Sequence, residues 1–370
     1  MKKWYSYIIL LLVCIGFASC QDNGTVPEPQ TDGRVSVHLQ IALPGGDPAE
    51  RGAQARGENG GFDYTTSDQR TMTADDVFVL MFSSKDVLLK QATITGLSDE
   101  TSDNSMGYYR TIDGVFDGVP NGSTNVYFVV LANLVQNNLY DNEGMSLDTK
   151  SKVDTYISSF IGKGKNELYS ALVYNYDGTS SPWNISNRRI PMWGATGKFD
   201  ILSGQTKEVS CDLHRAVAKL GFLINAADAK SEGRGIDGFT ITDISISGVM
   251  DKGYCVSQAA MSGDYYTAPY VPPTAAGIQT VTYSNLNVDK SYKDRIYLPE
   301  QLIEDNPLTI KVSYTYKGKF KTKEIPFEEN VIRNHSYLYN ITSVTPDDFD
   351  VAIYVGVEDY ADVPVYPGYE

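Results

Sequence analysis

The chain has 370 residues, 42% of them hydrophobic and 21% charged, a composition that excludes disorder over its whole length and fits about two ordinary domains. Lys and Arg number 31 against 46 Asp and Glu, a net charge of −15 that grows once Lys2 and Lys3 leave with an export signal. A field of that sign repels phosphate, which makes nucleic acid a poor partner.

The first segment, "MKKWYSYIILLLVCIGFASCQDNG", sets two lysines before an apolar run from Tyr7 to Phe17 and the small residues Ala18 and Ser19. Residues 1–19 read as an export signal. The run is roughly ten residues long, short of the ~20 that a spanning helix needs. "FASC" resembles the bacterial lipobox, in which Cys20 is acylated and becomes the mature N-terminus; Phe17 stands where Leu is usual. The polar, Pro/Gly-rich "QDNGTVPEPQTDG" that follows suits a tether leaving a membrane, with acyl chains supplying the affinity. The plain alternative is a signal peptide whose cysteine is incidental.

From Val35 to Leu43, Val35, Val37, Leu39, Ile41 and Leu43 alternate with Ser36, His38, Gln40 and Ala42. Period two predicts a strand with one buried face. Next comes "PAERGAQARGENGG", in which Arg51 and Arg56 are each followed by glycine, an exposed loop of the kind where proteolysis concentrates. Strand-like runs follow: "DVFVLMFSS", "LLKQATITG", "YYRTIDGVF" and "STNVYFVVLANL". One helix interrupts them, with Val153, Tyr156, Ile157 and Phe160 at helical spacing and Gly162 as its stop.

A domain border is expected at 206/207, where Ser203 and Gly204 mark a turn. Beyond it, "VAKLGFLIN", "FTITDISISG", "TVTYSNLNV", "DRIYLPE", "LTIKVSYTY", "KFKTKEIPF" and "SYLYNITSV" repeat the β pattern. Many short strands with little helix and no βαβ rhythm predict an all-β chain of two tandem sandwiches, residues 57–206 and 207–370, after a segment 20–56 of tether and first strand. Cys211 and Cys255 remain after export; an oxidising envelope permits a disulfide between them, and two separately buried thiols fit equally.

No chemistry presents itself. His38, His214 and His335 each lie alone in strand-like settings, no spacing suggests zinc, and no nucleophile elbow, P-loop or dinucleotide fingerprint occurs. "LYDNEG" fails the calcium-loop template, and "TADD" and "PDDFD" read as solvated loops. Neither a metal nor another cofactor is expected, nor enzymatic activity. Trp183 and Trp193, in "SPWNISNRRIPMWG", could form a glycan platform, or Trp193 could be core.

Five phrases in order resemble the Bacteroidales fimbrillins, subunits of type V pili: "VPNGSTNVYFVVLAN", "RIPMWG", "LHRAVAKLGFLI", "IYLPE" and "VIRNHSYLYNI". The resemblance implies two transthyretin-like β-sandwich domains and export as a lipoprotein to the outer membrane. It implies removal of the first strand by an arginine-specific protease, here after Arg51 or Arg56. The vacated groove then takes a strand from a copy of the chain or another pilus subunit. Cutting at Arg34 would leave the groove filled. The C-terminus offers a matching strand: Phe349, Val351, Ile353, Val355 and Val357 alternate, and Val363 and Val365 lie beyond. The run from Phe349 to Val357 reads equally as the last strand of the second domain, which leaves the tail after it as donor. A stalk subunit is expected over an anchor, because the loop looks cuttable. The rival expectation is a monomeric surface lipoprotein that binds glycan through its Tyr- and Trp-bearing loops.

Overall fold

The computed structural model describes residues 33–43, 71–103, 107–119, 125–135, 137, 139–141, 143–176, 189–226, 232–257, 272–273, 276–328 and 330–357. The first half contributes β1 (Val35–Leu43), β2 (Val77–Phe82), β3 (Leu88–Gln91), β4 (Thr93–Leu97), β5 (Thr101–Asp103), β6 (Gly107–Phe116) and β7 (Tyr127–Ala132). Helices α1 (Lys150–Ser158) and α2 (Lys165–Ala171) follow, then β8 (Val173–Asn175), β9 (Met192–Ala195), β10 (Thr206–Asp212) and β11 (His214–Arg215). The second half adds β12 (Val217–Ile224), β13 (Phe239–Met250), β14 (Lys252–Tyr254), β15 (Ile278–Tyr283) and β16 (Ser291–Pro299). It closes with β17 (Thr309–Tyr316), β18 (Lys319–Pro326), β19 (His335–Val344) and β20 (Phe349–Val357). Among the described residues, no helix is long and apolar enough to cross a membrane.

Two sheets face each other in each half, the tandem sandwiches that the strand spacing predicts and that the fimbrillin resemblance gives as transthyretin-like. In the first, β10-β1-β6-β4, with β5 on β6, lies against β11-β9-β7-β2-β3; in the second, β16-β12-β19-β20 lies against β15-β13-β17-β18. The runs "VFVLMF" and "YFVVLA" of β2 and β7 are apolar without alternation because both faces of their sheet are covered. Val77, Val79, Met81, Phe128 and Val130 pack toward the β1 sheet. Phe78, Leu80, Phe82, Val129 and Leu131 share the other cluster with Val153 and Ile157 of α1 and Leu168 and Tyr169 of α2. Thr149 caps α1 by accepting from the Lys152 N–H, and Gly162, at φ +88°, takes the left-handed turn beyond it. Helix α2 gave no comparable periodic signal over its seven residues.

The domain border differs from the expected 206/207. β10 runs parallel to β1, and β11 pairs with β9, so residues through Arg215 complete the first sandwich and the second begins with β12. A turn at Ser203 and Gly204 resembles a border, yet it only carries the chain back to its own first strand. The halves are stitched together by β8 and β14, paired antiparallel from Lys252↔Asn175 to Tyr254↔Val173. The Tyr174 hydroxyl donates to the Ala216 carbonyl (3.2 Å), and the Cys255 N–H donates to the Leu172 carbonyl (2.8 Å). Of the two expectations for the cysteines, separate burial holds: Cys211 and Cys255 form no disulfide and lie buried in different apolar clusters, one inside the β1 sandwich and one at the junction.

Just before β2, Asp76 of "TADD" is buried, not solvated; its Oδ1 accepts from the Leu134 and Val135 N–H groups, both at 2.9 Å. Burial raises its pKa from 3.8 to about 7, against the lowering effect of those two bonds. Because the folded value lies above the unfolded one, the native state holds the extra proton between them, and stability falls as pH rises from about 4 through about 7. Urea unfolding across that window should show wild type losing on the order of 2–4 kcal/mol relative to Asp76→Asn, the difference cancelling the opposite slope that a neutral buried His214 gives both proteins. Equal slopes in both proteins would refute the assignment.

Candidate functional site

β1 is the first strand among the described residues and an interior strand in its sheet. On one side it runs parallel to β10, from Ser36↔Thr206 to Ala42↔Asp212. On the other it runs antiparallel to β6, from Val35↔Phe116 to Leu43↔Tyr108. The predicted alternation holds: Val35, Val37, Leu39, Ile41 and Leu43 are all buried in the core between the sheets, against Ile112, Phe116, Phe128 and Met192. At ~1.5–3 kcal/mol for each side chain, that face contributes roughly 8–15 kcal/mol, an upper bound that omits the ladders.

The outward face is polar. His38 Nδ1 lies 2.8 Å from Asp113 Oδ1 on β6, and on the other side His38 is in register with Glu208 of β10. These three side chains, with Ser36, Thr95 and Thr206, line one shallow hollow on the outer sheet surface. Gly96 on β4 leaves room beside the Asp113 carboxylate, 3.3 Å from where a Cβ would stand. Neither Asp113 nor Glu208 stands out in the sequence; only the parallel pairing of β1 with β10 brings Glu208 to this wall.

A sheet that loses an interior strand exposes two unpaired edges and an apolar floor, a template for another strand. A terminal strand is also released by one chain break, whereas an interior one such as β6 needs two. Arg51 and Arg56 lie outside the described residues, as do Cys20, Val363, Val365 and Trp183. Trp193 is core, edge-on to Tyr169 with ring centroids 6.1 Å apart, and presents no face to a sugar.

The other expected donor residues sit in β20, the last strand of the second sandwich among the described residues. β20 pairs only with β19, from His335↔Val357 to Val344↔Phe349, at the edge of its sheet. Phe349 is buried and Val351 is packed against the core, while Ile353 is 41% exposed; Val355 and Val357 belong to the strand's last turns of ladder.

The remaining histidines serve structure. His335 Nδ1 lies 2.9 Å from the Arg333 carbonyl oxygen. Burial, with Arg333 and Arg215 nearby, pushes His214 down to about 4, so it stays neutral near pH 7. Asp141 of "LYDNEG" accepts from the Glu143 and Met145 N–H groups and so closes its own turn. Among the described residues no group of acidic, His and Cys side chains could hold a metal.

The model of a family described as fimbrillin-A associated anchor proteins Mfa1 and Mfa2 matches residues 55–361. The chain belongs to that family. Its members are fimbrial subunit and anchor proteins of pilus assembly and adhesion, which places this fimbrial protein at the cell surface with other pilus subunits and gives it a structural, adhesive character. A fimbrial assembly protein from Parabacteroides distasonis shares the fold at a TM-score of 0.50 and 14% identity, over 86% of this chain and 94% of its own. The fimbrial anchor protein Mfa2 from Porphyromonas gingivalis aligns over 87% of this chain and 97% of its own, at a TM-score of 0.35 and 9% identity. No curated protein matches the sequence.

Proposed function

We propose that this fimbrial protein is exported as a lipoprotein acylated at Cys20, loses β1 to an arginine-specific protease after Arg51 or Arg56, and joins a pilus by donor-strand exchange. The observation that carries the reading is the placement of β1, first of the described strands and central in its sheet, with its whole apolar face buried and two arginines in the sequence that follows it. The vacated groove takes a strand from a copy of the chain or another subunit, and the tail beyond Val357 is the segment left to serve as donor. Contacts of that kind are heterologous and build an open filament.

Treatment of the purified precursor with an arginine-specific protease in the presence of other pilus subunits should yield a ladder of polymer on a gel, whichever subunit supplies the strand. The Arg51→Ala/Arg56→Ala variant should stay monomeric and keep β1. Equal assembly by that variant would sink the cleavage step. The family description, which speaks of anchor proteins, favours a second reading in which β1 and the lipid are retained. N-terminal sequencing of protein from the cell surface separates the two: a start at Gly52 or Gly57 supports maturation, and a start at acylated Cys20 supports the anchor.

A further inference from the structure

We infer that the slot held by β1 is keyed for charge: Asp113 on one wall and Glu208 on the other select a strand with a basic side chain at the His38 position. That strand comes from a different subunit, not from the C-terminus of another copy of this chain. The inference rests on the strand-exchange reading above.

The resident strand demonstrates the key. His38 is the one basic side chain of β1, it points outward between the two acidic residues, and it makes the 2.8 Å contact with Asp113. Directly opposed residues in neighbouring strands share a face with their Cβ atoms about 5 Å apart, so whatever replaces His38 meets both carboxylates. Opposite charge is favourable there, and a third carboxylate is not. The apolar floor asks only for alternation and cannot distinguish one amphipathic strand from another; the outward position can.

The chain's own C-terminus fails the test in either register. Residues 336–370 contain no Lys, Arg or His. With Val351, Ile353, Val355 and Val357 on the floor, the outward side chains are Ala352, Tyr354 and Gly356, none of which bonds as a cation. With Val363 and Val365 on the floor, the outward residues are Asp362 and Pro364. Asp362 repeats the charge of the walls, and Pro364 lacks the N–H that a strand bonded on both sides must supply.

The test uses the full chain, cut with an arginine-specific protease and incubated in sub-denaturing urea with labelled peptides of the β1 sequence. The peptides carry the native histidine, His38→Lys or His38→Glu, and the C-terminal segment 346–370 is a fourth. Uptake should favour the His and Lys peptides over the Glu peptide by about tenfold, a gap that narrows at high salt. The C-terminal peptide should rank no higher than the Glu peptide. In Asp113→Asn/Glu208→Gln protein the preference should vanish while the native peptide still enters. Equal uptake of all four peptides by wild type would overturn the key and leave strand exchange standing. Failure of even the native β1 peptide to enter would overturn the strand-exchange reading itself, and the key with it.

Discussion

Leu39→Asp should prevent the N-terminal sandwich from folding. Leu39 is fully buried at the midpoint of β1, in register with Val209 on one side and Ile112 on the other. Removing its side chain costs about 2–5 kcal/mol, and leaving a carboxyl group without partners in that place costs several more. Against a total stability of ~5–15 kcal/mol, such a loss is decisive. Circular dichroism and resistance to a non-specific protease should both report it. Gln40→Ser, one residue along and facing outward, should change stability by no more than ~0.5 kcal/mol. Similar losses in the two variants would mean that the inward and outward faces are misassigned. The damage should also be repairable in trans. The floor and both walls of the slot lie on other strands, so wild-type β1 peptide present during refolding should restore protease resistance to Leu39→Asp. A variant such as Ile112→Asp, whose fault lies in the slot itself, should gain nothing from the peptide.

Arg333→Ala should have the next largest effect. The Arg333 guanidinium is nearly inaccessible, and it donates from Nε to Glu300 Oε2 (2.8 Å) and from its terminal nitrogens to the carbonyls of Tyr254 (3.1 Å) and Cys255 (3.4 Å). Truncation leaves Glu300 partly buried without its ion partner and frees the strap that carries β14, at a cost of about 3–5 kcal/mol. Lysine should not restore it, since one ammonium cannot reach three acceptors held in a fork. The strap joins the two sandwiches through Leu172 and β8, so calorimetry should resolve one transition in wild type and two in Arg333→Ala. A single transition at an unchanged temperature would count against Arg333 as the fastener. Glu300→Ala/Arg333→Ala should be less damaging than the sum of its parts, because removing both partners leaves no stranded charge.

Most strands of this fold are legible in the sequence, because each writes its burial into its pattern. β1 alternates and is half-buried; β2 and β7 are continuously apolar and buried on both faces. The run "LLKQATITG" holds β3 and β4, which sit in opposite sheets, and periodicity cannot show where a chain crosses between layers. β10 hides for a related reason. "TKEVSCD" has exposed Thr206 and Glu208, so it reads as a linker between domains, although it supplies the parallel neighbour of β1. The slot was therefore half visible: its occupant is in the alternation of Val35 to Leu43, while its acidic walls depend on long-range pairing. Arg333 lay inside a phrase that carried the family resemblance, yet nothing in "VIRNHSYLYNI" says that its guanidinium reaches across to residues 254 and 255.

The parallel pairing of β1 with β10 also bears on when the protein can fold. Ser36 emerges early from any machinery that delivers the chain N-terminus first, but its neighbour Thr206 emerges only after β2 to β9. Contacts so distant in sequence form late and slowly. Until residues 206–212 arrive, β1 has only its β6 side to hold it, and the sandwich stays open along one flank. Closure of the first sandwich thus waits for the longest-range ladder in the domain, which acts as a late step that commits the chain to its finished form.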